Sequence, residues 1–132
     1  ALGGATYIND SKATNLGATL SAIKALSASN NVILIAGGQG KGQDFSILAS
    51  ALNGVVRKLL LIGEASFEID AAVSKKIDTI YAIDIEDAVG ISREIAKSGD
   101  VILLSPGCAS FDMFDSFEDR GQRFISAVEG LQ

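Results

Sequence analysis

Val32-Ile33-Leu34-Ile35-Ala36 runs straight into Gly37-Gly38-Gln39-Gly40-Lys41-Gly42. A segment apolar at every position has no solvated side, so it reads as a strand covered on both faces, as in a parallel sheet. Working outward, similar short runs occur at Thr6-Tyr7-Ile8 and at residues 59–62, 79–83 and 101–104. Between them apolar residues return at helical spacing: Leu16, Leu20, Ile23 and Leu26, then Phe45, Leu48, Ala49 and Leu52 behind Asp44 as N-cap and before Gly54 as a stop. Ile85, Ala88, Val89, Ser92 and Ala96 repeat the pattern up to Gly99, and Phe117, Gly121, Phe124, Ile125 and Val128 repeat it behind a Ser116 cap. Residues 65–76 also read as helix, with a less clean period. This alternation predicts an α/β, three-layer Rossmann-like domain, with a mainly parallel sheet of five or six strands and helices on both faces. The direction of the first strand is left open.

Composition bounds the function. The 132 residues suit one domain, 1–132, with 48% hydrophobic and 20% charged residues placing it among folded rather than disordered chains. Net charge is −5 and the eleven Lys and Arg are scattered, so the basic stripe needed to neutralise nucleic-acid phosphates is missing. With no His, neither Ser-His-Asp nor Cys-His catalysis nor a His-based metal site can arise from this chain. The single cysteine, Cys108, cannot form an internal disulfide, which predicts a reducing, cytoplasmic setting. No apolar run approaches the ~20 residues of a membrane span, and the first residues, Ala1-Leu2-Gly3-Gly4, read as mid-chain sequence rather than a signal peptide.

Three polar segments follow strands: Asn9-Asp10-Ser11-Lys12-Ala13-Thr14-Asn15, the glycine turn 37–42, and Ser105-Pro106-Gly107-Cys108-Ala109-Ser110-Phe111-Asp112. In open α/β sheets ligands bind beyond the carboxyl ends of the strands, so a parallel first strand would bring all three together. The glycine turn can aim N–H groups at an anion, with Lys41 adding a full charge and a helix opening near Asp44 a partial one. It is not a Walker A loop, because Ile35 stands where the first Gly belongs and Gly42 where Ser or Thr belongs. Gly38, Gly40 and Gly42 lie one residue short of a dinucleotide fingerprint, with Glu64 near the place of a ribose-binding acid. A ligand-free tight turn, an anion site and an NAD(P)-binding module therefore all stand. The first segment reads equally as helix capping by Asp10, Ser11 or Thr14, or as a carboxylate for a ribose diol beside groups for anions. Cys108 reads as a small, partly buried thiol, and lone Asp, Glu and Arg residues elsewhere as solvated helix faces.

Taken in order and spacing, these segments, with Tyr7-Ile8 before the first and Asp44-Phe45-Ser46 after the second, resemble the C-terminal domain of the Mur ligases. Asp10-Ser11-Lys12-Ala13-Thr14-Asn15 resembles the D-glutamate-adding branch (MurD) in particular. The resemblance runs from about Thr6 to the end and departs at Gly107, where the family more often has Ala, a change expected to loosen the loop slightly. It implies an ATP- and Mg²⁺-dependent, peptide-bond-forming ligase of peptidoglycan synthesis, cytoplasmic and monomeric. Such an enzyme phosphorylates the carboxylate of UDP-N-acetylmuramoyl-L-alanine and lets the amine of D-glutamate attack the acyl phosphate. The resemblance also implies that the N-terminal UDP-sugar domain and the central ATPase domain lie outside this chain, which alone would not catalyse. By position, it assigns Thr14 and Lys41 to the side-chain carboxylate of D-glutamate, Ser110 and the backbone near Phe117 to its α-carboxylate, Asp10 to the ATP ribose, and Lys12 to the reaction centre.

Overall fold

A computed structural model describes residues 4–26, 29–73 and 76–131. Five strands, β1 (Thr6–Asn9), β2 (Val32–Gly37), β3 (Val56–Ile62), β4 (Asp78–Tyr81) and β5 (Val101–Leu104), form one sheet in the order β1-β5-β2-β3-β4. Every pairing is parallel, the first strand included. β2 is buried along its whole length. Val32, Leu34 and Ala36 face one layer, and Ile33 and Ile35 the other.

The helices α1 (Leu16–Ala25), α2 (Leu48–Leu52) and α3 (Ser66–Val73) supply Ile23, Leu48, Leu52, Ile69 and Val73 to the first layer. On the opposite face α4 (Ile85–Ile95) and α5 (Phe117–Glu129) bury Ile85, Ala88, Val89 and Phe124. The expected three-layer α/β architecture is therefore present, with five strands.

Several element ends differ from the sequence reading. Asp44 does not cap a helix; its carboxylate accepts from the Ser46 N–H at 3.0 Å in a local turn, and α2 starts only at Leu48, without a side-chain cap. α1 is capped by Asn15, which accepts from the Ala18 N–H at 3.0 Å, rather than by Asp10, Ser11 or Thr14. α4 stops at Ile95 instead of reaching Gly99, because the Asp100 carboxylate takes the Lys97 N–H at 2.8 Å and turns the chain. The helix expected over 65–76 is present as Ser66–Val73, and residues 74–75, like 1–3, lie outside the described residues. Ser116 caps α5 as expected, accepting from the Asp119 N–H.

Candidate functional site

The strands β1, β5 and β2 are neighbours, so the polar segments that follow them meet at one edge of the sheet. The segment after β5 lies in the middle and is bound on both sides. Toward the glycine turn it makes a small antiparallel bridge, with Gln39 N–H donating to the Ala109 carbonyl at 2.9 Å and Ala109 N–H returning to Gln39 at 3.1 Å. Toward the first segment, Gly107 N–H donates to the Ala13 carbonyl at 2.9 Å. The Ser105 hydroxyl donates to the Asp10 carboxylate at 2.8 Å, and the Asp10 N–H to the Leu104 carbonyl at 2.7 Å.

Gly107 sits at φ +70, and a Cβ there would meet Thr19 Oγ1 at 3.1 Å. A left-handed backbone in close contact favours glycine, so Gly107 relieves the loop instead of loosening it, contrary to the sequence-based expectation.

Lys41 also has a left-handed backbone, φ +52, and its side chain is exposed with Nζ 5.9 Å from the centre of the Phe111 ring. That contact is within cation–π range and carries Lys41 toward Ser110 and Phe111. The helix-terminal charge expected beside Lys41 is missing, because α2 begins only at Leu48 and is one short turn. The same fact counts against a dinucleotide site, whose glycine turn must open directly into a helix. The Gln39 N–H is moreover already taken by Ala109.

Ser110 is almost fully buried, and its carbonyl accepts from the Met113 and Phe114 N–H groups. Thr14 is half-buried just before α1, and Asp10 half-buried under Ser105. Lys12 is exposed and lines, with Asn9, Ser11, Phe117, Gly121 and Gln122, a groove of about 290 Å³ between the end of β1 and α5. The Phe117 carbonyl accepts from the Ser11 hydroxyl at 2.6 Å, while its N–H lies in the first turn of α5, where N–H groups have no partner within the helix. Lys12 and Phe117 thus share one groove, while Lys41 approaches the Ser110–Phe111 segment.

Two residues that organise this edge escaped the sequence reading. Gln43 accepts from the Leu16 N–H and donates to the Gly107 carbonyl, both at 2.8 Å, joining all three segments. Arg120, read as part of a solvated face, is fully buried and donates to Ser11 and to the Cys108 carbonyl. Its place three residues after Phe117 and four before Phe124 was the available signal. Burial pulls its pKa down to about 10, still far enough above neutrality to keep it charged. Cys108 is fully buried, deeper than the partly buried thiol expected, and burial pushes its thiol up to about 12. Among the described residues no group of three His, Cys, Asp or Glu converges to hold a metal ion, and no helix is long and apolar enough to cross a membrane.

The family described as Mur ligase, glutamate ligase domain, matches residues 1–108. The UDP-N-acetylmuramoylalanine–D-glutamate ligase of Legionella pneumophila is 50% identical over 130 residues, covering 97% of this chain and 29% of that protein. The ligase of the same name from Marinobacter nauticus is 50% identical over 131 residues, covering 98% and 29%. The chain therefore spans about three tenths of the length of these relatives. Among solved structures, a murein peptide ligase from Psychrobacter arcticus superposes with a TM-score of 0.58 at 15% identity, covering 87% of this chain and 26% of that one. A domain of a Haemophilus ducreyi protein described as a putative UDP-N-acetylmuramate:L-alanyl-gamma-D-glutamyl-medo-diaminopimelate ligase gives 0.51 at 16%, covering 94% and 88%. At such identities these two bear on the fold alone.

Proposed function

This chain belongs to the Mur ligase family, as its glutamate ligase domain, and we propose that it is the amino-acid-receiving, C-terminal domain of a D-glutamate-adding ligase of peptidoglycan synthesis. The observation that carries this reading is the 50% identity, across nearly the whole chain, to enzymes named for that reaction. The convergence of the three polar segments at one sheet edge supports it independently.

In the proposed reaction the γ-phosphoryl group of ATP passes to the carboxylate of UDP-N-acetylmuramoyl-L-alanine. The D-glutamate nitrogen then attacks the acyl carbon, phosphate leaves with the bonding pair, and the nitrogen loses a proton. Magnesium and the phosphate chain are assigned to the parts of the enzyme outside this chain. Lys41 and Thr14 hold the side-chain carboxylate, Lys41 through a charge-assisted bond about twice as strong as a neutral one. Ser110 and the Phe117 N–H hold the α-carboxylate. Asp10 accepts from the ATP ribose, and Lys12 stands beside the nucleotide and the reaction centre. Fixing both carboxylates orients the amine for attack, which is positional catalysis. The enzyme is assigned to the bacterial cytoplasm and acts as a monomer.

The test is phosphate release by the full-length protein with ATP, Mg²⁺ and UDP-N-acetylmuramoyl-L-alanine, with and without D-glutamate, alongside NADH titration of this chain. D-glutamate-dependent release is expected. NADH binding with no response to D-glutamate or ATP would sink the reading.

A further inference from the structure

Arg120 is fully buried, and removing a guanidinium from water costs several kcal/mol. Among the described residues no carboxylate offsets that cost by contact. Nε donates to Ser11 Oγ at 3.0 Å, Nη2 to the Ser11 carbonyl at 2.7 Å, and Nη1 to the Cys108 carbonyl at 3.0 Å. Asp112 acts on it only through space. The cost is met by three hydrogen bonds alone, which directs attention to what they connect. Ser11 precedes Lys12, and its hydroxyl passes the link on to the Phe117 carbonyl at 2.6 Å. Cys108 precedes Ala109, bridged to Gln39, and Ser110. Gly121 lets α5 come close enough for this, since a Cβ there would stand 3.0 Å from the Asn9 side chain and 3.1 Å from Ser11.

We propose that Arg120 is a positioning residue for the amino-acid substrate, locking the Lys12 segment, the Ser110 segment and the first turn of α5 into one rigid frame for a dicarboxylate. The inference rests on the ligase reading above. The ribose side is held separately, since Asp10 is fixed by Ser105 and the Leu104 carbonyl, with no bond to Arg120. Arg120 bonds neither Asp10 nor the Lys12 side chain, whereas it holds the Cys108 carbonyl two residues before Ser110 and, through Ser11, the Phe117 turn, so loss of the frame is felt first by the amino acid.

The experiment is steady-state kinetics of the full-length enzyme with Arg120→Met, Arg120→Lys and Ser11→Ala, each accompanied by thermal denaturation. A merely structural role would lower the folded fraction, and so the apparent kcat, at unchanged KM. The positioning role predicts at least a tenfold rise in KM for D-glutamate in Arg120→Met and an intermediate rise in Arg120→Lys, which keeps the charge without the fork. KM for ATP should stay within about twofold in both. Should Arg120→Met not fold, Ser11→Ala, which removes the Arg120 Nε bond and the relay to Phe117 but keeps the bond to the Ser11 carbonyl, carries the same expectation. A D-glutamate KM within twofold of wild type in the folded variants overturns the proposal. Wild-type enzyme without D-glutamate-dependent phosphate release overturns the ligase reading first, and this role with it.

Discussion

Gln43 donates from Nε2 to the carbonyl of Gly107 at 2.8 Å, while its Oε1 accepts from the N–H of Leu16 at the same distance. One side-chain amide thus satisfies an otherwise orphaned N–H at the start of α1 and anchors the loop after β5. The apolar layers hold the sheet together, but clasps of this kind hold the three segments in register above it.

Replacing Gln43 by Ala should remove both bonds and destabilise the chain by roughly 1–3 kcal/mol, the cost of two part-buried groups left unpaired. Gln43→Glu should recover only part, since a carboxylate can accept from Leu16 but cannot donate to Gly107. Thermal denaturation checks this, and an Ala variant melting with wild type would remove Gln43 from the frame.

Lys41 allows stability and function to be separated. Its φ of +52 is a conformation that costs a non-glycine residue about 1 kcal/mol, so Lys41→Gly should melt at or slightly above the wild-type temperature. In the full-length enzyme Lys41→Gly and Lys41→Ala should both raise the D-glutamate requirement sharply and leave ATP dependence nearly unchanged. An unchanged D-glutamate dependence would take Lys41 out of the site.

The fold was legible because strands buried on both faces leave uninterrupted apolar runs, as Val32 to Ala36 do, and because α4 and α5 carry clean stripes. Element ends were less so. The stop of α4 depends on Asp100 reaching the Lys97 N–H, and the late start of α2 on a local turn at Asp44, neither visible as periodicity. The positions offered for the site were in the motifs themselves, whereas the residues that clasp them were not. Gln43 and Arg120 matter through partners up to 109 residues away, and sequence spacing does not encode such contacts.

The end of the sheet away from the site offers a test at acid pH. Burial alone would raise the Asp100 carboxyl, but the Arg57 hydrogen bond at 2.6 Å, the Lys97 N–H and the Arg57 charge outweigh it and hold its pKa below the usual carboxylate value. A carboxylate depressed by folding contributes stability that is whole above its unfolded pKa, about 4, and fades as pH falls through the lower folded value. Asp100→Asn should therefore lose about 1–3 kcal/mol at neutral pH and show a flatter decline in acid. Parallel acid-unfolding curves for variant and wild type would contradict it.

Cys108 gives the opposite slope. Its side chain is fully buried behind the loop that carries Ser110, and burial lifts its pKa from 9.0 to about 12, only partly countered by the Arg120 charge. The folded state therefore keeps a proton that the unfolded chain gives up. The associated stability is complete below pH 9 and is lost as pH rises toward 12, at up to about 1.4 kcal/mol per pH unit. Cys108→Ala leaves a small cavity at neutral pH but has no thiol to ionise, so its stability should approach that of wild type as pH rises through this window. The native thiol should also resist an aromatic disulfide reagent at pH 8 and react fully once the chain is unfolded in denaturant, because the thiolate is the nucleophile. Rapid labelling of the folded chain would mean that Cys108 is reached from the ligand side, and would reopen the chemistry of this loop.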